Sequence, residues 1–139
     1  MVTDAHDQKV THSYTVHYPA HEPRKSDKHY ADFHAYRRAH IKTAKCAFAE
    51  RTGDESECGG VLELHHSHVE FAMQNGIALE RLEREYPGIS NPDEVGAWVE
   101  SGKNLTFYCT AHHRGPGGVH VSSSADFEAE HFVKGLISE

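Results

Sequence analysis

Three cysteines, Cys46, Cys58 and Cys109, are distributed along a chain of 139 residues. An odd number cannot pair off completely, which points away from a disulfide framework and towards metal ligation or free thiols. The third cysteine tightens the constraint. Cys109-Thr110-Ala111-His112 has the Cys-x-x-His spacing with which a single turn places two ligands on one ion. Cys46 and Cys58 would supply the other two, making a closed tetrahedral site of three thiolates and one imidazole, and closed sites are structural. Eleven residues separate Cys46 from Cys58, more than the usual gap of about two to four. The competing reading is a set of buried free thiols.

Histidine is the second unusual count, with 14 in the chain and no polyhistidine run. Most are scattered, and the seven between His6 and His40 show no ligand pattern. His65 and His66 are adjacent at the end of Val61-Leu62-Glu63-Leu64, a short strand candidate with alternating apolar positions. Neighbours on a strand point to opposite sides and cannot easily share one ion. They can divide labour, one as metal ligand and one as general base, which is the division that metal-assisted hydrolysis requires.

The formal net charge is -7, but it is unevenly spread. Residues 24–45 carry seven Lys/Arg against Asp27 and Asp32, a net of +5, whereas residues 70–100 carry seven acids against Arg81 and Arg84, a net of -5. The basic segment reads as a helix over about 27–44, with Tyr30, Phe33, Arg37 and Ile41 at helical spacing. Its Lys28, Arg37, Arg38 and Lys42 are candidates for binding a DNA backbone, a contact that positions a duplex without reading its sequence. No apolar run approaches the roughly 18–20 residues of a membrane span, and the N-terminal stretch has no apolar segment. The expectation is an intracellular, cytoplasmic protein.

Along the rest of the chain, residues 1–25 read as a polar tail or arm and 46–60 as a loop. Two short acidic helices are expected at about 77–86 and from Asn91-Pro92-Asp93-Glu94 to Gly102. A second strand is expected over 104–109, a turn over 114–118, and a final helix from Ser123 or Ser124 to about Ile137. The chain thus divides into an arm, 1–25, and one domain, 26–139, with a helical insertion over about 72–102. The expected class is α+β.

Leu62-Glu63-Leu64-His65-His66, then Asn104-Leu105, then His113 eight residues on, resembles the His-Asn-His signature of the HNH endonuclease family. The preceding Cys58-Gly59-Gly60 and the Cys109-x-x-His112-His113 run resemble its zinc-bearing branch. The resemblance spans about residues 46–121, and the C-terminal stretch from Arg114 looks similar to HNH proteins of actinobacterial phages, which would place the protein in a host cytoplasm. It implies a ββα-metal (His-Me finger) core with a zinc knuckle and flanking helices. It implies His65 and His113 as ligands of a catalytic divalent cation (Mg, Mn, Ni or Zn), with His120 as a candidate third because Gly117 stands where some members carry another histidine. It implies His66 as the base that activates water, Asn104 as the residue that holds that base in place, and Cys46, Cys58, Cys109 and His112 as ligands of a structural zinc.

The activity so implied is metal-dependent hydrolysis of DNA phosphodiester bonds, nicking or cutting, with DNA as partner and no membrane. The alternative is a zinc-stabilised module that binds nucleic acid or protein without catalysis. A zinc nucleobase deaminase is excluded by the lack of any Cys-x-x-Cys, and the His-Glu-x-x-His metalloprotease signature is also missing.

Overall fold

A computed structural model describes residues 1–139. The chain forms a small mixed α+β fold around one two-stranded antiparallel sheet. The elements are α1 (Tyr30–His40), α2 (Ala47–Thr52), β1 (Leu62–His66), α3 (Leu79–Glu85), α4 (Pro92–Val99), β2 (Leu105–Cys109), α5 (Thr110–Arg114) and α6 (Ser124–Glu130), with 3-10 turns at Arg24–Ser26 and Phe71–Gly76. No helix is long and apolar enough to cross a membrane.

The sheet follows from alternation. In β2, Leu105, Phe107 and Cys109 are buried while Thr106 and Tyr108 are half-buried, the period of a strand with one face on a core. β1 pairs with it from Leu62↔Cys109 to His66↔Leu105. One end of the hairpin therefore carries a cysteine and the other the paired histidines. Gly60 makes the entry to β1 possible: its φ is +80°, and a Cβ there would lie 2.5 Å from the Thr110 Cβ.

Two small cores flank the hairpin. Cys46, Phe48 and Cys109 pack with Leu62, Tyr108, Ala111 and Phe127. Val95, Trp98 and Val99 on α4 pack with Val69, Ile77, Leu79, Leu82, Tyr86 and Ile89. At about 1.5–3 kcal/mol for each fully buried large apolar side chain, this second core holds the insertion together and docks it on Val69, three residues past the end of β1. Helix α4 starts as expected, with Asn91 Oδ1 accepting from Glu94 N–H at 2.9 Å and Pro92 in the first turn.

Four expectations change. The basic helix is shorter than 27–44 because residues 24–26 form a 3-10 turn and the chain turns after His40 to bring Cys46 inward. Its inner face is Tyr30, Phe33 and Tyr36, and Arg37 is exposed. The segment 46–60 is not all loop, since α2 forms there, buries Phe48 and ends at Gly53 with φ 73°. The last helix stops at Glu130, leaving Phe132, Val133 and Leu136 exposed. The arm lacks regular structure to Pro23, but its end is docked: Asn75 Nδ2 donates to Ala20 O at 2.9 Å, and His21 meets the Phe71 ring edge-on at 5.7 Å.

Asn104 ties the insertion to the hairpin. It is fully buried. Its Oδ1 accepts from His68 N–H (2.9 Å) and Val69 N–H (3.1 Å), and its Nδ2 donates to Val69 O and Val99 O (both 2.9 Å). Every polar atom of the amide is used, and each bond is to backbone. Asn104→Ala should destabilise the fold by roughly 3 kcal/mol, because it strands buried backbone groups without partners; urea unfolding of the two proteins measures this.

A pH effect arises at the end of α6. The Glu130 carboxyl is pushed up to about 7 by burial, with Glu57 and Asp126 adding repulsion. An acid raised in the folded state stabilises while protonated, so its contribution is complete below about pH 4.5 and is lost as pH rises through 7. Glu130→Gln should flatten the melting temperature between about pH 5 and 8, where wild type declines.

Candidate functional site

Helix α5 follows β2 without a break, and its two histidines face different clusters. Consecutive helical residues are about 100° apart around the axis, so His112 turns inward and His113 turns to the side. Both surroundings are rich in metal donors.

Around His112 stand all three cysteines. Cys109, Cys58 and Cys46 place Sγ at 3.1, 3.6 and 3.7 Å from its Nδ1. One nitrogen cannot form three good hydrogen bonds at once. A tetrahedral zinc ion with these donors would set sulfur and nitrogen about 3.6 Å apart, close to what is found. Phe48 fixes the imidazole by stacking at 3.8 Å with an 11° tilt. The thiols are electrostatically mismatched without a cation. Burial and the neighbouring Cys109 and Cys46 sulfurs push Cys58 up to about 12. Cys109 is lowered despite its burial, because backbone N–H groups of Gly59 and His112 bond to its sulfur. Cys46, Cys58, Cys109 and His112 are thus compatible with a bound metal such as zinc.

Around His113 stand His65 from β1 and His120 from the turn after α5. Their ligating nitrogens all lie within 4.8 Å of one another. Ring centroids are 5.0 Å apart for His65–His113, 4.7 Å for His65–His120 and 4.6 Å for His113–His120. Burial, then His120 and His113, lowers His65 to about 4. Burial also lowers His120. Both shifts favour the uncharged ring, the form that binds metal. Nδ1 of His65 is buried with no hydrogen-bond partner. Such an orphan in a histidine cluster fits a donor set for a cation. His113 Nδ1 bonds to Glu63 Oε1 at 2.9 Å, the carboxylate–histidine support common behind metal ligands. Arg114 Nη2 holds the other Glu63 oxygen at 2.7 Å.

His66 points away from this trio. Its Nε2 lies 3.2 and 3.3 Å from the Glu100 oxygens, and its Nδ1 lies 3.5 Å from Glu70 Oε2. Phe33 stacks on the ring at 5.5 Å with a 20° tilt. Burial lowers its pKa, but the bonds to Glu100 and Glu70 outweigh it and raise His66 to about 9. Asn104 binds the backbone of the next two residues but one, so it holds the chain on which His66 sits rather than the ring.

The four basic candidates separate. Lys28 pairs with Asp93, and His29 bridges Asp32 (2.7 Å) and Asp93 (3.0 Å), so these side chains tie α1 to α4. Arg37, Arg38 and Lys42 are exposed.

Three site residues were not singled out from sequence. Glu63 was findable, since it shares a strand face with His65 two residues on. Glu70 lies four residues past His66 and is half-buried beside it. Glu100 left no local signal, because only the packing of α4 brings it to His66. No family model, curated protein or solved structure matches the chain.

Purified protein should hold about one firmly bound zinc at the Cys3His cluster, measured by elemental analysis and lost in Cys109→Ala. Stripping it with a chelator should lower the melting temperature, and acidification should release it, because the thiols and imidazole must shed protons to bind. An unchanged melting temperature after complete zinc removal would refute the structural role.

Proposed function

We propose that this protein is a divalent-metal-dependent endonuclease that hydrolyses DNA phosphodiester bonds, built on a ββα-metal core formed by β1, β2 and α5. The observation that carries this reading is the convergence of His65, His113 and His120, with His66 the next residue along β1 and a separate Cys3His cluster in the same fold. A module that only used zinc to stabilise a binding surface has no need of the second donor set.

His65, His113 and His120 would hold the catalytic cation. That cation would supply Lewis-acid stabilisation to the scissile phosphate and leaving oxygen, and its charge would favour a neutral His66 ring. His66 takes the proton from the attacking water at Nδ1, the nitrogen on the more open side, where Glu70 is over a third exposed. Glu63 keeps His113 in one tautomer by accepting from its Nδ1–H. Asn104 fixes the backbone after the base through four bonds. Arg37, Arg38 and Lys42 attract the phosphate backbone, while Lys28 is held by Asp93.

The test is plasmid cleavage by wild type and His66→Ala, each with EDTA, magnesium, manganese, nickel or zinc. Wild type should nick or linearise DNA only with added metal. His66→Ala should lose at least about 100-fold in rate in protein that remains folded and keeps its zinc. DNA binding without cleavage under every metal would instead favour the zinc-stabilised binding module.

A further inference from the structure

Glu100 is an expensive residue to bury. Its side chain is fully inaccessible, and an isolated carboxylate in such a place costs several kcal/mol unless it is paired. It is carried inside because Val95, Trp98 and Val99 bury the inner face of α4, and Glu100 follows directly on that helix. Its partners are Arg24 and His66.

Each partner is itself fixed. The Arg24 guanidinium sits over the rings of Tyr30 (4.7 Å), Phe33 (5.2 Å) and Phe71 (4.8 Å), contacts that favour a cation held in place. Phe33 also covers one face of His66. The His66 ring is thus bounded on one face by an aromatic and at Nε2 by a buried carboxylate. That carboxylate is itself anchored by an arginine from before α1. Well-packed apolar residues would stabilise this junction about as well as a buried ion pair, so stability alone does not account for the arrangement.

We infer that Glu100, anchored by Arg24, is a positioning residue for His66. By accepting from Nε2–H it fixes the ring's orientation and leaves Nδ1, on the more exposed Glu70 side, as the nitrogen that takes the proton. The inference rests on the reading of His66 as the general base and extends it to the acidic insertion and the segment before α1. The insertion then completes the site rather than filling space.

The experiment compares wild type, Glu100→Gln, Glu100→Leu, Arg24→Met and the double variant Arg24→Met/Glu100→Gln. Nitrogen-15 NMR of the histidine rings reads the His66 tautomer, and plasmid cleavage gives kcat and KM separately. Above about pH 9, where the ring is neutral, wild type should hold it as the Nε2–H tautomer. Glu100→Leu should let the two tautomers mix, with zinc content unchanged. Glu100→Gln keeps the side-chain shape and an acceptor oxygen, so it tests the charge without emptying the space. It should lower kcat by about 10- to 100-fold, the range for supporting partners of a site histidine, with KM for DNA unchanged. Adding Glu100→Gln to His66→Ala should cause no further loss.

If Glu100 served only to neutralise Arg24, the Arg24→Met/Glu100→Gln double variant would recover wild-type kcat, and that recovery would overturn the proposal. An unchanged His66 tautomer in a folded Glu100→Leu protein would overturn it equally. If wild type itself cleaves no DNA, the nuclease reading fails, and the tautomer measurement still decides whether Glu100 sets the ring.

Discussion

The convergence of three sulfurs on one imidazole nitrogen is the contact on which the rest of the fold depends. Cys46 comes from the start of α2, Cys58 from the loop before β1, and Cys109 and His112 from the junction of β2 and α5. Without that junction the chain has little to hold these pieces together. The apolar core beside it contains three buried residues, two of which are the cysteines themselves. A chain this size with two small cores has a thin margin of apolar burial, and metal coordination is the usual supplement. The hairpin register, the position of α5 and the direction of His113 all follow from where this cluster clamps the backbone.

The hairpin is organised by charge as well. Carboxylates sit behind imidazoles: half-buried Glu63 behind His113, and buried Glu100 behind His66. Each carboxylate has an arginine on its other side, Arg114 and Arg24 respectively. The repetition has a physical logic. A histidine that must present one chosen nitrogen needs its other nitrogen occupied, and a buried carboxylate keeps its charge only if a cation neutralises it. The acidic insertion, which by composition alone reads as a solvated surface, supplies one of these carboxylates.

What was legible in the sequence was local. The two strands, the asparagine cap of α4, the turn after α5 and the grouping of Cys46, Cys58, Cys109 and His112 all rest on spacing within a few residues or on donor chemistry with few alternatives. The grouping of His65, His113 and His120 was legible only through a family resemblance, since nothing in the spacing of His120 beyond the glycine turn marks it as a donor. Helix α2 was missed because six residues are too few to show a period. Arg37 was placed on the inner face of α1 because its spacing fits. Tyr36 occupies that face instead, packing on Phe107 at 6.2 Å. Glu100 was illegible because its role depends on a fold-level event, the docking of α4, which no window of sequence contains.

Helix α5 has five residues and gives one histidine to each donor cluster. A helix of barely more than one turn has no length over which to absorb a local distortion, and its two ligands are adjacent in the chain. Any ion entering at His112 therefore sets the pitch and direction of the backbone that presents His113. The two clusters are mechanically one unit, with soft sulfur donors on one side and nitrogen donors on the other. On the proposed reading such a unit would fill in order: a thiophilic ion first, which would shape the turn, and then a second ion at imidazoles already aimed. Loading would be sequential, and the affinity of the second site would report on occupancy of the first.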